Sequence, residues 1–140
     1  TLDWGRGVWT YDNTWYWGSG NGYVNGKRFG YNIGYGFGNT TAASENMIFY
    51  DGKCHKIDRI RFEIPENDLL QPWKFVSSDG RFDMDFFPVY DNASKFNAFL
   101  FSQNSHQVFG RIRGKAILDD GTELKINNLL AFAERVRNRY

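Results

Sequence analysis

The chain has 140 residues, 41% of them hydrophobic and 19% aromatic, with a formal net charge of +1 at pH 7. That length fits one domain burying roughly two thirds of its unfolded surface, so a core forms without metals or disulfides. Thirteen Phe, eight Tyr and five Trp exclude disorder. The balanced charge of the whole chain predicts no strong pull toward nucleic acid or anionic membrane, and no apolar run approaches the ~20 residues of a transmembrane helix.

In chain order, the first feature is a Gly/aromatic segment: ten of 15 Gly lie in the first 38 residues and four of five Trp in the first 17. The next, Phe29 to Phe37, alternates strictly, with Phe29, Tyr31, Ile33, Tyr35 and Phe37 on one face and Gly30, Asn32, Gly34 and Gly36 on the other. A strand with one bare face bends sharply, packs closely against other rings or leaves room for a ligand. Strands follow at Met47 to Tyr50 and Lys53 to Ile64, joined by Asp51-Gly52, a strong hairpin signal. Trp73 to Ser78 and Arg81 to Tyr90 flank Asp79-Gly80. A two-residue turn there sets Phe75 opposite Met84, Trp73 opposite Phe86 and Lys74 opposite Asp85, which sorts both faces sensibly. Lys95 to Ser102 and His106 to Leu118 are further strands. A three-residue loop over Asp119 to Gly121 then pairs Ala116 with Leu124, Val108 with Phe132 and His106 with Glu134 in the last strand, Glu123 to Glu134. The run Arg135, Arg137 and Arg139 reads as a solvated tail. About eight antiparallel strands in a meander predict an all-β, lipocalin-like up-and-down barrel, a closure that removes exposed edges.

Several short motifs in order carry a family resemblance: Asp3-Trp4-Gly5-Arg6-Gly7, Trp15-Tyr16-Trp17-Gly18-Ser19, Ser44-Glu45-Asn46, Asp51-Gly52 with His55-Lys56-Ile57, Pro72-Trp73, and His106-Gln107-Val108-Phe109-Gly110. From near residue 3 to its end, the chain resembles the C-terminal part of domain-of-unknown-function family 2804, departing from it at Thr10, where Pro is expected. The resemblance implies a relative of the calycin, or lipocalin-like, superfamily and a barrel able to hold an apolar small molecule or lipid. It also implies that residues 1–140 are one such domain at the C-terminal end of a longer protein. It implies no reaction, because such folds host binders and enzymes alike.

The residues themselves narrow the chemistry. His55 and His106 are the only histidines and lie far apart, and Cys54 and His55 point to opposite strand faces, so no metal site is expected. No cofactor fingerprint or nucleophile elbow occurs. The single Cys54 cannot form an intramolecular disulfide and fits a reducing, cytoplasmic setting. Acid/base work by a carboxyl in an apolar pocket remains, with Glu134 and Glu45 as the candidate acids and His106 as their partner. Trp4, Trp9, Trp15 and Trp17, with Tyr31 and Tyr35, are candidate walls of a ligand pocket and Arg6 a candidate headgroup anchor. Core packing or a barrel plug is the ordinary reading of the same rings. The expected partner is a hydrophobic small molecule or lipid. The alternatives are a hydratase- or isomerase-type enzyme and a barrel that packs on an N-terminal domain or dimerises.

Overall fold

The computed structural model describes residues 7–139. Nine antiparallel strands form one sheet, and no helix occurs among the described residues. In chain order they are β1 (Asp12–Val24), β2 (Lys27–Tyr35), β3 (Met47–Tyr50), β4 (Lys53–Lys56), β5 (Ile60–Glu63), β6 (Trp73–Ser77), β7 (Phe82–Ala98), β8 (Phe101–Ile117) and β9 (Glu123–Arg139). Across the sheet the order is β4-β3-β2-β1-β9-β8-β7-β6-β5. The two outer strands, β4 and β5, are consecutive in sequence, so the sheet curls into a half-barrel whose edges approach across residues 57–59. The expected all-β antiparallel meander is therefore present, and several boundaries differ.

The Gly/aromatic start contains a full strand, β1, that sequence alternation alone passes over, because Gly18, Gly20 and Gly22 dilute it. Its turn is Asn25-Gly26, with φ of 51° and 75°, and Asp51-Gly52 repeats the geometry at 52° and 79°. Positive φ at both central residues matches the right-handed twist of the flanking strands. The predicted strand Lys53 to Ile64 is two strands on opposite edges, broken where Ile57 turns inward to 1% exposure. The stretches Arg81 to Tyr90 and Lys95 to Ser102 belong largely to one long strand, β7, whose turn is Phe99-Leu100.

The Asp79-Gly80 register is as predicted: Phe75 faces Met84, Trp73 faces Phe86 and Lys74 faces Asp85. The β8–β9 hairpin starts as predicted, with Ala116 opposite Leu124, then shifts. Asn128, at φ 62°, is an extra residue between Asn127, opposite Arg113, and Leu129, opposite Ile112. Because side chains alternate with period two, this bulge moves the buried face from Leu124 and Ile126 to Leu129, Ala131 and Ala133. Val108 consequently faces Ala133, and Glu134 faces Gln107 instead of His106. The strand continues through Arg135, Arg137 and Arg139, so these are not a tail. A second bulge, at Val89, and Pro88 beside it interrupt the edge of β7 beyond β6.

The concave face holds the core in cross-strand rows. Phe82, Ala116 and Leu124 form one row, and Phe86, Ile112 and Leu129 another. Rings fill the space between, with centroids of Phe62 and Phe75 at 4.4 Å, Tyr31 and Phe82 at 5.1 Å, and Trp73 and Phe86 at 5.6 Å. Bulky rings fit because their neighbours are small: a Cβ on Gly20 would stand 2.8 Å from the Tyr31 ring.

Candidate functional site

Beyond the core, β1, β7, β8 and β9 run on past the short strands and carry the concave face into polar rows. The row Ala93, His106, Arg135, Tyr16 and Tyr35 crosses five strands. Further out come Lys95, Asn104, Arg137 and Thr14, then Asn97, Ser102, Arg139 and Asp12. Strand pairing, not sequence proximity, assembles these groups.

His106 Nδ1 lies 2.7 Å from Asp91 Oδ2, and both side chains are about one fifth exposed. The second oxygen, Asp91 Oδ1, is buried with no hydrogen-bond partner among the described residues. A buried acceptor left unpaired costs about 1–3 kcal/mol, so this one invites a donor from outside. A carboxylate at Nδ1 orients an imidazole and holds its proton there, leaving Nε2 as the exchanging atom. Tyr16 and Tyr35 stack at 4.6 Å and both lie against Phe62, so the row joins the apolar core directly. Burial raises the Tyr35 phenol above its ordinary value, opposed by the hydrogen bond it accepts from the Phe62 amide. The row therefore offers an aromatic floor, an oriented imidazole, a guanidinium and a hungry carboxylate oxygen.

A scan against family models matches all of residues 1–140 to the domain of unknown function DUF2804. The chain belongs to the DUF2804 family. No curated protein and no solved structure matches it.

The other residues singled out in this DUF2804 chain are placed elsewhere. Trp4 and Arg6 lie outside the described residues. Trp15 and Trp17 are on the convex face, since Trp17 pairs with Gly34 and Glu134, whereas Tyr16 pairs with Tyr35 and Arg135. Trp9, Trp15 and Phe37 pack in series, and Trp17 meets Phe132 edge-on at 4.8 Å. Trp15 and Trp17, with Trp9 packed on Trp15, thus stand on the opposite side of the sheet from Tyr16 and Tyr35 and do not line one pocket with them. Tyr31 is 2% exposed and belongs to the core.

The candidate carboxyls are also convex. Trp17 Nε1 donates to Asn32 Oδ1 at 2.8 Å, and Asn32 Nδ2 donates to Glu45 Oε2 at 3.0 Å, with Glu45 exposed. Glu134, half-buried, accepts from Gln107 Nε2. The sheet separates both from His106, so the proposed Glu134–His106 pair does not form. Its replacement, Asp91, has no local sequence signal because the pairing depends on the Val89 bulge.

The glycine-bare face of β2 is convex too. Phe37 folds back until a Cβ on Gly34 would stand 2.6 Å from its ring. Over Gly30 a shallow depression of about 520 Å³ remains, bordered by Asn21, Arg28, Asn32 and Phe49. Another depression, of about 510 Å³, contains Lys56. Its ammonium already donates to Ser44 Oγ, Asn46 O and Ile57 O, which saturates its three hydrogens. Among the described residues no group of three or more His, Cys, Asp and Glu is placed to hold a metal ion.

Proposed function

We propose that this chain binds a hydrophobic small molecule or lipid bearing a polar head, in a lipocalin-like manner, at the open end of the concave face. The observation that carries this is the cross-strand row beside Asp91, where the aromatic core ends in Tyr16 and Tyr35 and continues into Arg135 and His106. The apolar body lies along the tyrosines, and a hydroxyl or amide of the head donates to Asp91 Oδ1. Aromatic side chains occupy the deeper interior, so the site is shallow and close to solvent. The exposed free thiol of Cys54 fits the expected reducing, cytoplasmic setting.

Displacement of a fluorescent fatty acid, with mass spectrometry of lipids extracted from the purified protein, tests this. Tyr16→Ser with Arg135→Ser weakens binding by about tenfold or more. Absence of any bound lipophile, or displacement unchanged in that variant, sinks the reading.

A second reading rests on the 2.7 Å His106–Asp91 contact: His106 acts as acid/base on the same class of ligand, as a hydratase or isomerase would. Turnover of a lipid extract that wild type shows and His106→Gln lacks, with binding retained, distinguishes it from binding alone.

A further inference from the structure

The β7–β8 hairpin runs beyond the core and ends in the sequence Phe96-Asn97-Ala98-Phe99-Leu100-Phe101. Phe99 is 99% exposed, and Phe96, Leu100 and Phe101 are each more than half exposed. The two-residue turn that carries Asn-Gly and Asp-Gly in other hairpins of this sheet carries Phe-Leu here, with Phe99 held at φ 52°. A ring residue is costly in that left-handed conformation and gains nothing from the core. The tip is also anchored, because Tyr11 Oη donates to Leu100 O at 2.7 Å.

The surrounding charge is predominantly positive. No Asp or Glu occurs from Asn92 to Leu118. Lys95, Arg137 and Arg139 occupy the last two concave rows of the hairpin end, and the Asp12 carboxylate in those rows pairs with Arg137 at 2.8 Å and, more loosely, with Arg139 at 3.9 Å. Among the described residues, three cations against one carboxylate leave a net excess of two positive charges beside four apolar side chains. Near-neutral composition conceals this, because the acids lie elsewhere on the sheet.

We propose that the β7–β8 hairpin tip docks on an anionic lipid surface. Phe99 and Leu100, with Phe96 and Phe101 behind them, enter the interfacial layer, and Lys95, Arg137 and Arg139 meet the headgroup phosphates. Apolar insertion combined with basic side chains is the pairing that holds a protein at such a surface.

Cosedimentation of the 140-residue chain with vesicles of phosphatidylcholine, and of phosphatidylcholine with phosphatidylserine, tests this. Binding is expected to favour the phosphatidylserine vesicles and to fall by about tenfold or more in Phe99→Ser/Leu100→Ser. Lys95→Gln/Arg139→Gln removes the preference for anionic vesicles. An unchanged circular dichroism spectrum and unfolding midpoint verify that both variants fold. Failure to bind either vesicle, or equal binding by the serine variant, overturns the proposal. So does self-association that the serine substitutions abolish while vesicles are ignored, which assigns the tip to a second copy of the chain. Phe99 and Leu100 lie at the turn, outside the concave ligand row, so the serine variant separates docking at the tip from fatty-acid displacement in that row.

Discussion

Asn46 shows how one side chain organises a region that strand patterns leave open. It is 2% exposed; its Oδ1 accepts the Gly34 amide at 2.8 Å, and its Nδ2 donates to Asp58 O at 3.2 Å. It thus ties the end of β2 to the crossing between β4 and β5. Asn46→Leu leaves the buried Gly34 amide unpaired, and stability falls by about 2–3 kcal/mol in urea unfolding. Ser44-Glu45-Asn46 was legible as a motif, but its second and third residues have opposite roles: Glu45 faces solvent, and Asn46 is structural. A linear pattern does not separate them, because the distinction depends on which face of the loop meets residue 58.

At the scale of elements, the decisive feature is the bulge at Asn128. Without it, the alternation of Leu124 and Ile126 continues to Leu130 and Phe132, which is the register the sequence favours. With it, Leu129, Ala131 and Ala133 turn inward, Leu130 is 63% exposed, and Arg135 joins His106 on the concave face. Deleting Asn128 forces strand β9 to choose between its turn and its core. The expected outcome is loss of cooperative unfolding and of near-ultraviolet circular dichroism, whereas Asn128→Gly retains both because glycine accepts φ near 62°. The hairpins were largely legible, since Asp-Gly turns fix register locally. Bulges were not, because a single inserted residue leaves almost no compositional trace.

For the whole molecule, the half-barrel is held at its closing end by a polar latch. Arg81 donates to Lys56 O at 2.8 Å, Ile117 O at 3.0 Å and Asp119 Oδ1 at 2.6 Å, while the Asp58 amide donates to Asp79 Oδ2 at 3.0 Å. These bonds tie the β4 edge and the crossing from β4 to β5 to the β6–β7 turn and the end of β8. The Arg81 hydrogen bond holds the Asp119 carboxyl below its ordinary value. For Asp79, burial acts upward but is outweighed by hydrogen bonds from Ser77, Arg81 and Asp58. Both carboxyls are therefore more acidic when folded, and their stabilisation is complete above the ordinary carboxyl value of 3.8 and lost as pH falls through the lowered values. Urea midpoints measured against pH should decline below about 4 in wild type. Arg81→Met lowers stability near neutrality by about 1–3 kcal/mol and flattens that acid slope, because Asp119 returns toward its ordinary value.

The sequence by itself determined the strand-rich class, most hairpins and the family resemblance, because alternation and turn chemistry act over a few residues. It also supplied the row members Tyr35 and His106 as candidates, without their neighbours. Only the tertiary structure decided that Trp17, Glu45 and Glu134 face away from His106, that Asp91 replaces Glu134 as its partner, and that the arginines of β9 share one face. The physical reason is the period of two along a strand: each bulged residue exchanges the faces of everything beyond it. Which side chains meet across five strands therefore depends on bulges and pairing order that no local stretch of the chain encodes.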